Sequence, residues 1–228
     1  GNQNTAVGYA AIYSNISGIR NTAVGAYALD SNTTASYNVG VGRDALGANT
    51  TGEKNTAVGT YALDGNTTAN NNTSLGYAAL FSNTTGSVNT AVGANSLDAN
   101  TTGIRNTAFG YDALSDNTTA SENCAVGTYA LANNTTGGSN SAVGYYSLAV
   151  NTTGENNTAF GHNSLQSNTT ANNNTAIGKD ALQYNTTGYE NVAVGQRSGD
   201  AITTGYQNVS VGDEALSACT TGTFNTAL

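Results

Sequence analysis

The sequence has no proline, no methionine and no tryptophan, one histidine, two cysteines, and charge at only 9% of its 228 positions. Each absence excludes something. Without proline, no strand loses the N–H that an interior position needs, so a chain made almost wholly of interior strands is allowed. A single histidine, His162, leaves no His-based metal cluster and no Ser-His-Asp triad within one chain. Aromatics at 7% cannot fill a thick globular core at the usual packing density. The six bases, Arg20, Arg43, Lys54, Arg105, Lys179 and Arg197, are scattered singly against 14 acids, for a net charge of −8. Nucleic-acid backbones need clustered Lys and Arg, so nucleic acid is not an expected partner. No apolar run approaches the roughly 18 residues of a membrane helix, and no signal-peptide pattern opens the chain.

What is present is one phrase. The stretch from Asn55 to Asn71, NTAVGTYALDGNTTANN, recurs with small edits thirteen times from Asn4 to Phe224, with no insertion or deletion. Residues 1–3 read as a lead-in, 4–224 as a single domain of seventeen-residue units, and 225–228 as a truncated fourteenth unit. The chain reads as a segment cut from a longer repeat protein, with any targeting or anchoring part left out. Numbering each unit from its Asn, position one is Asn throughout, position five is Gly, and position four is apolar, from Val7 to Val211. Position nine is Leu or Ile except at Gly199, positions three and eight are small, and positions twelve to fourteen usually read Asn-Thr-Thr.

A gapless short period means an array in which each unit packs only on its neighbours. Helical repeats need more residues than this. Seventeen residues suit one turn of a parallel β-solenoid, with a strand at Thr-Ala-Val-Gly and a second around Thr-Thr-Gly. Between them, Gly59-Thr60-Tyr61-Ala62-Leu63-Asp64 is expected to make a short helical turn that drops Leu63 into the core. At about 4.8 Å per strand, thirteen coils make a rod roughly 60 Å long. The position-one asparagines should stack as an amide ladder. Gly at position five should take a backbone conformation that a Cβ forbids, or allow close approach. Threonines should pair with their copies one coil away. Strand alternation puts positions three and four on opposite faces. With position four in the core, the Ala row from Ala6 to Ala193 faces outward, a flat stripe that three chains could bury about a common axis. Gly199 and Ile202 break the pattern in unit twelve, where a local irregularity is expected.

The phrase Asn-Thr-Ala-Val-Gly, recurring at every turn, resembles the head repeats of trimeric autotransporter adhesins, the YadA-like family. The resemblance covers residues 4–228 and implies an all-β, left-handed parallel β-roll forming a homotrimer on a bacterial cell surface. The usual crossover rule would give the opposite hand, so left-handedness is implied by the resemblance alone. It implies a non-catalytic attachment surface for a host extracellular-matrix protein or glycan, with outer-membrane anchoring through other segments. Similar phrases with Asn-Thr-Thr-Gly also occur in phage tail-fibre-like proteins, which makes a fibre shaft the alternative.

The residues themselves offer little chemistry. No catalytic, cofactor or metal site is expected. Asp44, Asp112 and Asp180 at position seven, and Asp30, Asp64 and Asp98 at position ten, read as solvated turn residues, and the Gly-Gly-x-Gly-x-Asp calcium phrase is missing. Cys124 and Cys219 lie more than five coils apart and should not pair, since a disulfide needs Cα atoms within about 7 Å. Eight of the 13 tyrosines (Tyr9, Tyr27, Tyr61, Tyr77, Tyr111, Tyr129, Tyr145 and Tyr146) fall at positions six and seven. They form a candidate binding stripe for sugars or protein partners. The bland alternative is rings packed on neighbouring coils with hydroxyls in water. An ice-binding solenoid is a further alternative, weakened because the paired threonines are adjacent, as in Thr67-Thr68, and so face opposite ways.

Overall fold

The computed structural model describes residues 2–228, so Gly1 of the expected lead-in lies outside the described residues. The chain is an all-β parallel β-solenoid with a seventeen-residue repeat and about thirteen turns. Its contacts divide at Thr119 into two units. The first holds β1 (Thr5–Val7), β2 (Thr22–Val24), β3 (Val39–Val41), β4 (Thr56–Val58), β5 (Thr73–Leu75), β6 (Thr90–Val92) and β7 (Thr107–Phe109). The second holds β8 (Cys124–Val126), β9 (Ser141–Val143), β10 (Thr158–Phe160), β11 (Thr175–Ile177), β12 (Val192–Val194), β13 (Val209–Val211) and β14 (Thr226–Ala227). Within each unit every strand pairs in parallel with the next, position for position, as in Thr56↔Thr73 and Thr158↔Thr175.

The sides of the strand are the reverse of the sequence expectation. Position three points inward: Ala23, Ala57, Ala91, Ala125, Ala142 and Ala176 are fully buried. Position four points out, with Val24, Leu75, Phe109, Phe160 and Ile177 exposed. The reason is room. The core is filled by the position-nine leucines, Leu29 to Leu182, all at 0% exposure. A Cβ placed on Gly40, at position three, would lie 3.3 Å from Leu29 Cγ. A methyl group fits that gap; a Val side chain would not.

The segment between position five and position twelve is not a helical turn, and no helix occurs among the described residues. Positions seven and nine instead take left-handed φ in alternation, as in Tyr61 (60°) and Leu63 (54°). Non-Gly residues rarely enter this region, and strain there persists only where surroundings over-determine it. Inter-coil bonds supply the determination: Tyr61 N–H donates to Arg43 O at 2.9 Å, and Leu63 N–H to Ala79 O at 2.9 Å. The Thr-Thr-Gly segment is likewise not a second strand. Its backbone joins coils through bonds such as Thr50 N–H to Thr67 O (2.9 Å), and the Thr50 hydroxyl donates to that same carbonyl at 3.0 Å. Threonine thus bonds the backbone of the next coil, not its counterpart's hydroxyl.

Two asparagine columns run through the core, one more than expected. At position one, each side chain bridges backbone, and in the second unit the amides also bond one to the next as expected, Asn208 Nδ2 donating to Asn191 Oδ1 at 3.0 Å. Asn55 Oδ1 accepts from Asn72 N–H at 2.9 Å, and Asn55 Nδ2 donates to Ala69 O at 2.8 Å. A further amide-to-amide ladder lies at position twelve. Asn66 Nδ2 donates to Asn49 Oδ1 at 2.8 Å, and Asn83 Nδ2 donates to Asn66 Oδ1 at 3.1 Å. Both columns are essentially fully buried, so each bond satisfies a group that water cannot reach. Position-five Gly fits both expected reasons. Gly127 has φ 131°, and a Cβ there would stand 2.6 Å from the carbonyl oxygen of Gly144 in the next coil.

Unit twelve shows both the expected irregularity and a compensation: with Ile202 in place of Asn, Asn185 Oδ1 is buried without a hydrogen-bond partner, while the strand register and the core volume are kept. β12 keeps register with β11 and β13, and Gly199 adopts φ 60° as the leucines do. Ile202, 1% exposed, reaches the space that Leu would have filled: a Cβ on Gly199 would lie 3.2 Å from Ile202 Cδ1.

Two mutational tests follow from this packing. Asn66→Ala should cost about 1–3 kcal/mol, because it orphans buried amide groups on Asn49 and Asn83. Thr68→Ala, on the exposed side of the same turn, should stay within about 0.5 kcal/mol; urea denaturation of both variants checks the contrast. In the second test, Ile202→Asn alone should lose about 2–4 kcal/mol and Gly199→Leu alone about 1–3 kcal/mol through overpacking. The double variant restores the repeat, so its loss should fall well below the sum of the two.

Candidate functional site

The eight tyrosines split by position. Tyr27, Tyr61, Tyr129 and Tyr146 sit at the left-handed position seven, with φ of 60°, 60°, 57° and 54°. Tyr9, Tyr77, Tyr111 and Tyr145 follow the Gly directly and are exposed. Within each unit several of them meet as ring pairs. In the first unit Tyr9 meets Tyr27 edge-on at 5.3 Å, and Tyr61 meets Tyr77 edge-on at 6.1 Å. In the second, Tyr146 contacts Tyr129 at 4.9 Å and Tyr145 at 4.5 Å, while Tyr145 stacks on His162 at 5.3 Å. Small residues at the intervening positions, such as Ala26 and Ala94, interrupt the run.

Sequence reasoning missed other rings. Phe81, at position ten, closes on Tyr61 at 6.2 Å and 88°. At positions sixteen and seventeen, Tyr189 stacks on Tyr206 at 4.8 Å, and Tyr206 meets Phe224 at 5.5 Å. Tyr189 and Tyr206 are one period apart, a signal that could have been read. Arg20 lies 5.3 Å over Tyr37 on the corresponding face of the first unit.

Tyr61, Asp64, Tyr77, Ala78, Phe81 and Asn95 line a recess of about 360 Å³ in the first unit. A more polar recess of about 320 Å³ is lined by Thr51, Glu53, Lys54, Asn70 and Asn71. Here the expectation of solvated aspartates is corrected. Asp64 and Asp98 are half-buried, and burial pushes each carboxyl up to about 6. The charges of Asp44 and Asp30 add to the effect at Asp64, and the Gly47 N–H partly opposes it. Asp112 and Asp116 act similarly on Asp98. Burial also raises Asp200, whose Oδ1 is buried without a hydrogen-bond partner. Asp44 is paired, with Arg43 Nε 3.0 Å from its Oδ2.

His162 Nδ1 lies 3.9 Å from Asp180 Oδ1, beside Lys179. Among the described residues no group of three or more His, Cys, Asp or Glu is placed to hold a metal ion. Cys124 and Cys219 are free thiols; Cys219 takes the position-twelve place of Asn and its Sγ accepts from Asn225 Nδ2 at 3.9 Å. No helix among the described residues is long and apolar enough to cross a membrane. Compared with protein-family models, with curated proteins and with solved structures, the chain matches none.

The raised carboxyls give a pH signature with a definite sign. Their folded pKa of about 6 lies above the ordinary 3.8, so between those values the folded state holds protons that the unfolded chain has released. Stability therefore rises as pH falls through that window and declines as pH climbs back through about 6. The melting temperature should increase from pH 7 to about pH 4.5. The Asp64→Asn/Asp98→Asn double variant should be more stable at pH 7 and show a smaller increase, which separates these two groups from general relief of net charge.

Proposed function

We propose that this chain is a non-catalytic segment of a homotrimeric surface fibre, of the kind found in YadA-like adhesin heads, with a left-handed coil. One observation carries the reading: each coil turns an apolar residue outward at position four, half-buried in some coils, such as Val58 and Val143, and exposed in others. In the first unit these include Val24, Leu75 and Phe109, and in the second Phe160, Ile177 and Val211. Every copy presents the same column at the same spacing, so parallel chains in register would match side chain to side chain along it. Burial of such a face is worth roughly 25 cal/mol per Å². The stripe expected to do this, the Ala row, is already spent inside the coil; the outer column replaces it and is a stronger candidate because its residues are larger. The number three, and the left hand, come from the resemblance of Asn-Thr-Ala-Val-Gly to adhesin heads. Attachment to a host matrix protein or glycan, through the tyrosine clusters, belongs to the same reading, as do an extracellular bacterial surface or a phage tail fibre as its setting.

The ice-binding reading gains one observation. Positions two and four share the outer face, so Thr22 and Val24, or Thr56 and Val58, form ranks on a regular parallel sheet. Leu75, Phe109 and Phe160 interrupt those ranks with bulk, which favours chain-to-chain packing over a flat contact with ice.

Sedimentation at micromolar concentration should give a particle of three chains. Replacing Leu75, Phe109, Phe160 and Ile177 together by Asp should shift it to monomer, because like charges would then line the interface. A wild-type monomer would sink the proposal, and thermal hysteresis in a freezing assay would favour the ice-binding alternative.

A further inference from the structure

The recess in the first unit is built from more than apolar contact. Tyr61 stands nearly perpendicular to both Tyr77 (82°, 6.1 Å) and Phe81 (88°, 6.2 Å), so three rings wall one concavity. Asp64 and Asn95 are the polar side chains that line it besides the tyrosines. Negative charge gathers beside the recess, around Gly47, and Asp64 belongs to both. Measured from the place where a Cβ on Gly47 would stand, Asp64 Oδ1 is 2.6 Å away and Asp30 Oδ1 3.7 Å. Arg43, the base beside them, is tied to Asp44 and lies 5.8 Å from the centre of the Tyr61 ring. The charges of Asp44 and Asp30 both act on Asp64, the neighbouring base is paired with Asp44, and Tyr61 already takes a cation on its Arg43 side.

We propose that this recess binds a small quaternary ammonium compound of the choline type, held by cation–π contact with Tyr61, Tyr77 and Phe81 and by the charge of Asp64. Such a cation suits the site because it has no N–H groups to satisfy and little hydration to lose, while the ring faces offer it a negative quadrupole. A sugar suits it less. Asp64 and Asn95, with the tyrosine hydroxyls, cannot pair the many hydroxyls of a pyranose. Burial and two neighbouring carboxylates make ionisation of Asp64 unfavourable, and a cation in contact offsets that. The inference goes beyond the fibre reading and does not depend on how many chains assemble.

The chain has four phenylalanines, so ring-labelled Phe gives few NMR signals, and loss of one in Phe81→Leu assigns the reporter. Choline chloride should move the Phe81 signal saturably, while sodium chloride at equal strength should not. The neutral isostere 3,3-dimethylbutan-1-ol and a methyl glucoside serve as competing probes. Tyr77→Leu should weaken choline binding about three-fold and Asp64→Asn about five-fold, with melting temperature at pH 7 confirming that both variants fold. Equal binding of the neutral isostere would reduce the recess to an apolar dent and overturn the proposal. So would a saturable response to the glucoside without one to choline, or no saturable response to choline at all.

Discussion

A buried amide must bond, and in this protein it does so partly within its own coil and partly through the coils above and below. That constraint orders everything else. Asn66 reaches Asn49 on one side and receives Asn83 on the other, while its own Nδ2 also closes the turn at Ala69 O. Asn55 does the complementary task, tying the start of its own coil to Ala69 O and to the N–H of Asn72. A coil one residue longer or shorter would pull both columns out of register and leave several groups unpaired in a dry interior, at about 1–3 kcal/mol each. The strict seventeen-residue period is the sequence's answer to that penalty. The β-strands, only three residues long, are as much a consequence of this register as its cause.

The same constraint sets the width of the core. Two amide columns and one leucine column leave space only for small residues: Ala, Ser or Gly at position three, Ala or Ser at eight, and Gly or Ala at fifteen. It also explains why the turn tolerates left-handed φ at Tyr61 and Leu63: every N–H in question donates to a fixed carbonyl one coil away, so the local conformational cost is carried by repetition. Where the pattern departs from itself, as at Gly199 and Ile202, volume is traded between two positions, the strands keep register, and the cost falls on Asn185 Oδ1, which is left buried and unpaired.

Much of this was legible in the sequence, and the errors are instructive. Period, parallel stacking, the need for Gly at position five and the importance of Asn at position one all follow from which residues never vary between units. The side of the strand was misread because hydrophobicity was given more weight than variance. Position three is Ala, Ser or Gly in every unit, whereas position four ranges over Val, Leu, Ile and Phe. A packed interior tolerates little change of volume, so the position of uniform size belonged inside and the position of mixed size outside. The second amide ladder was visible as Asn-Thr-Thr but went unassigned, because nothing in a single unit says that its Asn points inward. The turn was misread as helical because propensity reasoning is local and the bonds that override it are not.

The clusters of aromatic rings were harder to foresee, and the reason is geometric. With register fixed, a ring at position seven can meet position six of the next coil, as Tyr61 meets Tyr77, or its position ten, as Tyr61 meets Phe81. It can also meet the same position one period on, as Tyr129 meets Tyr146. Counting tyrosines along a face leaves these offsets out. Counting by offset instead finds groups that span two or three adjacent coils, each made by a chance of side-chain choice on a scaffold that does not respond to it. An interior that admits almost no substitution, beneath an outer surface that admits nearly any, lets such groups of side chains arise coil by coil without endangering the fold. Binding chemistry in this protein should therefore be sought in neighbouring coils and at outward positions, and never in the residues that all the units share.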